Sequence, residues 1–180
     1  MSIVKISLSE LTGQFLKELK KKFGKSAEVE IRAKEGAEVP VLSEDLFWEI
    51  IDSFDWSQET AHEVLTKGVE KLANQETVFI YLFADVLHEK LSQLNTKAHA
   101  VVLSNGLKGK FSGDDFLYAR CGVIAEGQKY FQEVIETPSK MPDDIIFEAL
   151  LSLPSAAYKL KTGKELNYAP QQKIETHDFQ

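Results

Sequence analysis

Apolar residues recur at three- and four-residue intervals from Ser43 almost to Gly163, and this spacing constrains the fold more than any other feature of the chain. Leu46, Phe47, Ile50, Ile51 and Phe54 form one stripe. Val64, Leu65, Val69 and Leu72 form a second. Such spacing puts the apolar side chains on one face of a helix, which must then be buried against something. A third segment, about 76–93, is apolar around most of its circumference and is expected near the centre of the core. Ser43 and Ser57 are placed as N-caps of the first two helices. Lys97 to Leu103 reads as a shorter fourth helix, and the glycines of 104–111 read as a loop. Ser112 and Asp115 have capping-box spacing and predict a helix that runs to about Glu136. Gly122 and Gly127 inside it suggest close packing there. Pro138 ends that helix, Pro142 opens the next, and Pro154 breaks or kinks it. A last helix, Ser155 to Thr162, stops at Gly163.

The first forty residues read differently. Residues 3–6 and 27–33 alternate apolar and polar side chains, as half-buried strands do. Between them Ser7 and Glu10 have capping-box spacing, and Leu11, Phe15, Leu19 and Phe23 share one helical face that ends at Gly24. The expected fold class is therefore α+β, mainly α: a helical bundle body with a small N-terminal strand–helix–strand unit. Residues 1–40 form the leader, 41–168 the helical body, and the polar residues 169–180 a flexible tail. Two strands alone are marginal in water. They are expected to complete a sheet with the body or with another chain, which makes a homodimer or a protein partner through the N-terminal strands the expected assembly.

Charge and composition exclude several classes. The chain has 21 basic and 28 acidic residues, a net of −7 at pH 7. Residues 41–163 hold 11 basic and 19 acidic ones, so the acidity sits in the body. A basic coat suited to nucleic acid is absent, and nucleic acid is not an expected partner. The longest apolar run, 78–84, is far shorter than the roughly 20 residues of a membrane span. Without a signal-peptide core, and with Cys121 as the one cysteine, a cytoplasmic location is expected.

Several local patterns fall in a recognisable order. They are Phe47-Trp48-Glu49-Ile50-Ile51-Asp52, then Ser112-Gly113-Asp114-Asp115-Phe116 with Tyr118-Ala119-Arg120, then Gly127 with Tyr130-Phe131, and finally Tyr158-Lys159 with Lys161-Thr162-Gly163-Lys164-Glu165-Leu166. Over about residues 43–168 the chain resembles the bacterial domain-of-unknown-function family DUF4240, most clearly in the Ser-Gly-Asp-Asp-x-Phe segment. The resemblance implies a helical fold and a bacterial origin. It implies no reaction.

Two residue sets are candidates for ligand binding. Asp114, Asp115 and Arg120 place acids and an arginine near one helix start, where a neighbouring helix has to supply further groups for a shared site. Trp48, Glu49 and Asp52 form the second set, with Glu49 and Asp52 on one face at i and i+3. Paired carboxylates can divide acid and base roles or bind a hard cation. Capping with a structural salt bridge for the first set, and a solvated helix face with a packed Trp48 for the second, are the favoured readings of the same residues. Asp85 and His88 share a face, yet neither His62-Glu63 nor His88-Glu89 gains the second histidine of a zinc motif, so no metal and no cofactor is assigned. Cys121 beside Gly122 reads as buried and inert, and the lysines at 17, 20, 21, 22 and 25 as a solvated face. With no catalytic constellation evident, the expected function is a non-enzymatic interaction or regulatory module. The alternative is a small-ligand-binding protein or enzyme with a carboxylate/arginine cleft.

Overall fold

A computed structural model of the chain describes residues 13–24, 40–107, 112–168 and 170. The chain divides into two units, Met1–Val39 and Pro40–Gln180. In the first unit the described element is α1, Gly13–Phe23. Phe23, expected on its inward face, is 60% exposed, and the Lys22 ammonium lies over its ring.

The body is built from α2 (Glu44–Ile51), α3 (Ala61–Ala73), α4 (Thr77–Gln93), α5 (Lys97–Gly106), α6 (Gly113–Ala125), α7 (Gln128–Glu136) and α8 (Leu153–Thr162). Short 3₁₀ turns cover Pro138–Lys140 and Glu148–Ser152. The α+β expectation is corrected: among the described residues every regular element is helical and none is a strand. The segments 3–6 and 27–33, where strands were expected, lie outside the described residues. With no described strand to pair, assembly through N-terminal strands loses its structural basis. No helix among the described residues is long and apolar enough to cross a membrane.

The caps set the helix starts. Ser43 accepts from the Leu46 N–H at 3.1 Å and opens α2 as its type predicts. Ser112 and Asp115 close a reciprocal capping box at the start of α6. The start of α3 departs from expectation. Thr60 and Glu63 form its capping box, whereas Ser57 turns back to Asp55. The long helix expected from Ser112 to Glu136 breaks at Gly127, whose φ of 96° only glycine adopts without strain. There α6 ends and α7 begins. After Pro142 the chain runs without a helix to Phe147, and Pro154 sits in the first turn of α8, where its missing N–H costs nothing.

The stripes bury as their spacing demands. Phe47, Ile50, Ile51 and Phe54 are buried, as are Val64, Leu65 and Leu72, and α4 adds Ile80, Phe83, Leu87 and Leu91. Phe47 stacks on Phe83 at 4.9 Å between centroids, joining α2 to α4. Each such side chain contributes about 1.5–3 kcal/mol by leaving water. The last helix, α8, returns to lie against α3 and α4. Beyond it, Tyr168 packs on Tyr81 at 4.9 Å and donates to the Asp85 carboxylate at 2.7 Å. Burial, then that bond and the carboxylate's charge, push its phenol up to about 12.

Gly122 has a different partner from a neighbouring helix. The segment after Pro142 crosses α6 there, and a Cβ on Gly122 would lie 2.8 Å from both the Ile145 Cγ2 and its carbonyl oxygen. One turn away the Phe147 N–H donates to the Tyr118 carbonyl at 3.2 Å. Alanine in an open helix position gains about 1 kcal/mol over glycine. Against a backbone carbonyl the overlap outweighs that gain, so Gly122→Ala is expected to lower stability by about 1–2 kcal/mol in urea unfolding. A gain in stability would show that the crossing segment can move aside.

His99 ties α5 to α7. Its Nε2–H donates to the Val134 carbonyl at 3.1 Å, which fixes the tautomer because a carbonyl only accepts. Its Nδ1 then accepts from the Thr96 hydroxyl at 2.7 Å. Burial holds its pKa below the ordinary 6.5. The unfolded imidazole therefore takes up a proton at a pH where the folded one does not, and stability falls as pH drops below about 6.5. In thermal unfolding between about pH 7.5 and 5.5, His99→Gln is expected to flatten this fall. An unchanged slope would place the proton uptake elsewhere.

Candidate functional site

The two candidate sets occupy different environments. On α2 the Trp48 side chain points into the core, 2% exposed, edge-on to Phe47 at 4.9 Å and tilted on Phe131 of α7 at 5.4 Å. Its indole N–H donates to Glu44 at 3.3 Å. The Lys90 ammonium from α4 sits 5.5 Å from the Trp48 centroid and 5.3 Å from that of Phe131, and pairs with Glu44. These two bonds and the ammonium's charge hold the Glu44 carboxyl below its usual range. An ammonium held between two ring faces and a carboxylate is a favourable arrangement for a mostly buried lysine. Nothing in the sequence pattern distinguishes Lys90 from the solvated lysines of other helices.

Glu49 turns away from this cluster. It is exposed, and Lys71 of α3 reaches both its carboxylate and its backbone carbonyl at 3.2 Å. Asp52 lies one turn on at the exposed end of α2, with its Oδ1 beside Gly127: a Cβ there would stand 3.1 Å from it. Trp48, Glu49 and Asp52 are thus close in sequence and divergent in space.

On α6 the Asp115 carboxylate is engaged in its own cap. It accepts from the Ser112 N–H at 2.7 Å and hydroxyl at 2.8 Å, and these bonds lower its pKa. Asp114 beside it is exposed. Arg120 is 0% exposed. Its Nη1 donates to the Leu91 carbonyl at 3.0 Å and its Nε to the Phe116 carbonyl at 3.3 Å, with the guanidinium 4.6 Å from the Phe116 centroid. Leu91 lies in the last turn of α4, where carbonyls lack helical partners and the helix dipole is negative. Arg120 is thereby a tie between α6 and the end of α4. No carboxylate bonds to it among the described residues. Burial lowers its pKa to about 10, so it stays charged at neutral pH. Beside it, burial pushes the Cys121 thiol up to about 12, far from a reactive thiolate. Asp85 receives Tyr168, and among the described residues no three His, Cys, Asp or Glu side chains gather as a metal site requires.

One surface feature escaped the sequence reading. The loop 52–60 carries Trp56, which is 52% exposed. Its ring lies 5.0 Å from Phe147 and 6.3 Å from Phe54 between centroids. The loop beneath is pinned by Asp55, whose Oδ1 accepts from the Ser57 hydroxyl at 2.6 Å and N–H at 3.2 Å. Its Oδ2 accepts from Gln58 at 3.1 Å and pairs with Lys67 at 2.9 Å. These bonds hold the Asp55 carboxyl far below its usual range. The Asp55-x-Ser57 spacing of an Asx turn was the available signal, and an N-cap reading of Ser57 obscured it.

Removal of Arg120 separates its packing from its bonding. Arg120→Ala is expected to cost about 3–5 kcal/mol, since it opens a cavity and orphans a buried carbonyl. Arg120→Met refills most of the volume and leaves only the Leu91 carbonyl unpaired, an expected loss of about 1–3 kcal/mol in urea unfolding. Equal losses would assign the role to charge rather than to volume.

No curated protein and no solved structure matches the chain. A family described as a protein of unknown function, DUF4240, matches residues 42–170, which takes in every helix of the body from α2 to α8. Over that span the chain belongs to the DUF4240 family.

Proposed function

We propose that the helical body is a non-catalytic interaction module whose contact face is centred on Trp56. The observation that carries this reading is Trp56 itself, half-exposed yet fixed. An indole in water forgoes the burial that stabilises Phe47, Trp48, Phe83, Phe116 and Phe131. Here it is held by two rings below and by a loop whose backbone Asp55 has locked. A rigid aromatic needs little ordering on association, and tryptophan is prominent among residues that dominate binding energy. Of the titratable groups weighed as ligand-binding, Asp115 is engaged in a cap, Arg120 at a helix end and Glu49 with Lys71.

The alternative, a small-ligand cleft of Asp114, Asp115, Arg120, Glu49 and Asp52, finds less support. Its arginine is buried on carbonyls, and its carboxylates lie on the surfaces of two different helices. A photo-reactive benzoylphenylalanine at position 56, expressed in the native cell, tests the preferred reading. Discrete protein adducts at 56 are expected, and none at position 160, where Leu160 is similarly exposed. Adducts equal at both positions, or absent at both, would remove it.

A further inference from the structure

The charge of the two chain segments that carry Trp56 and Phe147 points to the kind of partner they meet. Residues 41–66 supply α2, the Trp56 loop and the start of α3, and residues 141–158 supply Phe147 and its surroundings. These two stretches contain ten acidic residues and no lysine or arginine. Four of the ten are engaged by the fold: Glu44 by Lys90, Glu49 by Lys71, Asp55 by Lys67, and Glu63 in the capping box of α3. Of the other six, Asp45, Asp52, Glu59, Asp143 and Asp144 are exposed, and Glu148 is exposed beside the Tyr118 hydroxyl. Among the described residues, Lys67, Lys71 and Lys90 pair with acids of these stretches, and Lys140 and Lys159, which border the second, pair with Glu133 and Glu165. The segments that build the aromatic platform therefore carry an unbalanced negative charge. Ile146, next to Phe147, adds a large apolar side chain that is 57% exposed.

We infer that these segments dock a basic, amphipathic segment of a partner protein, which seats an apolar side chain against Trp56 and sets lysines or arginines over their exposed acids. This rests on the interaction-module reading and specifies its partner. Aromatic contact supplies the short-range energy of such an interface, and complementary charge supplies orientation and rate of encounter. An acidic or nucleic-acid partner would meet repulsion over the same segments.

The full-length chain, labelled with fluorotryptophan, gives two resonances, one each for Trp48 and Trp56, distinguished by Trp56→Ala. The probe is a helical peptide with leucines on one face and lysines on the other; its glutamate-for-lysine and glutamine-for-leucine counterparts serve as controls. Saturable movement of the Trp56 resonance is expected with the lysine–leucine peptide alone, with Trp48 unmoved. Trp56→Ala is expected to weaken binding, read by fluorescence anisotropy of the labelled lysine–leucine peptide, about tenfold or more. The double variant Glu59→Lys, Asp144→Lys, which leaves the aromatic platform in place, and salt raised from about 0.05 to about 0.5 M are each expected to weaken it as well. Circular dichroism of each variant confirms that it folds. Equal binding by Trp56→Ala, or equal response to the glutamate peptide, overturns the inference. If position 56 cross-links in cells while the lysine–leucine peptide leaves Trp56 unmoved, the basic partner falls and the interaction module stands. If neither responds, both fall.

Discussion

The bundle is held in register by a constraint that every helix shares: its last carbonyls have no partner within the helix. In three successive helices a cation from another element meets one of them. Lys71 of α3 reaches the Glu49 carbonyl near the end of α2 at 3.2 Å. Lys161 of α8 reaches the Ala73 carbonyl that closes α3 at 3.0 Å. Arg120 of α6 reaches the Leu91 carbonyl near the end of α4 at 3.0 Å. A cation there also faces the negative end of the helix dipole. Apolar stripes bring the helices together without fixing where along each other they stop. A bond between one helix end and one side chain fixes that point. This also explains how Arg120 can be fully buried with no carboxylate bonded to it: a helix terminus supplies the negative potential.

Local signals in the sequence foretell local structure. Ser43 and the Ser112–Asp115 pair mark helix starts because a hydroxyl three residues before a free N–H captures it whatever else surrounds it. Gly163 closes α8 for a similarly local reason, in the left-handed conformation at φ 69°. The errors arise where a distant contact chose between two local options. Ser57 can cap a helix or close an Asx turn, and Lys67, ten residues on, favours the turn by pairing with Asp55. Gly122 and Gly127 look alike in sequence. One remains helical to admit Ile145, and the other takes a positive φ and ends the helix. The expected strands of the leader lie outside the described residues, so the correction to an all-helical description comes from the body and α1.

The candidate residues were legible as types and not as a site. Trp48, Glu49 and Asp52 lie within five positions, and a helix turns them to three surroundings: the aromatic core, Lys71 of α3, and the Gly127 junction. Asp115 and Arg120 are separated in the same way by the rotation of α6, which sets one at the exposed cap and the other against α4. The Lys90 cluster involves α2, α4 and α7, so no window of sequence contains it.

Trp56 differs from these in what its surroundings achieve. Lys90 pairs with Glu44, Arg120 meets the Leu91 carbonyl and His99 the Val134 carbonyl, so each of the three joins one helix of the bundle to another. Asp55 gathers donors from Ser57, Gln58 and Lys67, yet the loop it locks leaves its largest side chain half in water. A connection between α2 and α3 needs only to close the gap, and any small polar residue at position 56 would do so without exposing an indole. Phe147 meets that indole from a segment that itself crosses α6 over a glycine, so two distant stretches of chain are shaped to support one exposed ring. Core packing does not require that arrangement, and the interaction proposed for Trp56 accounts for it.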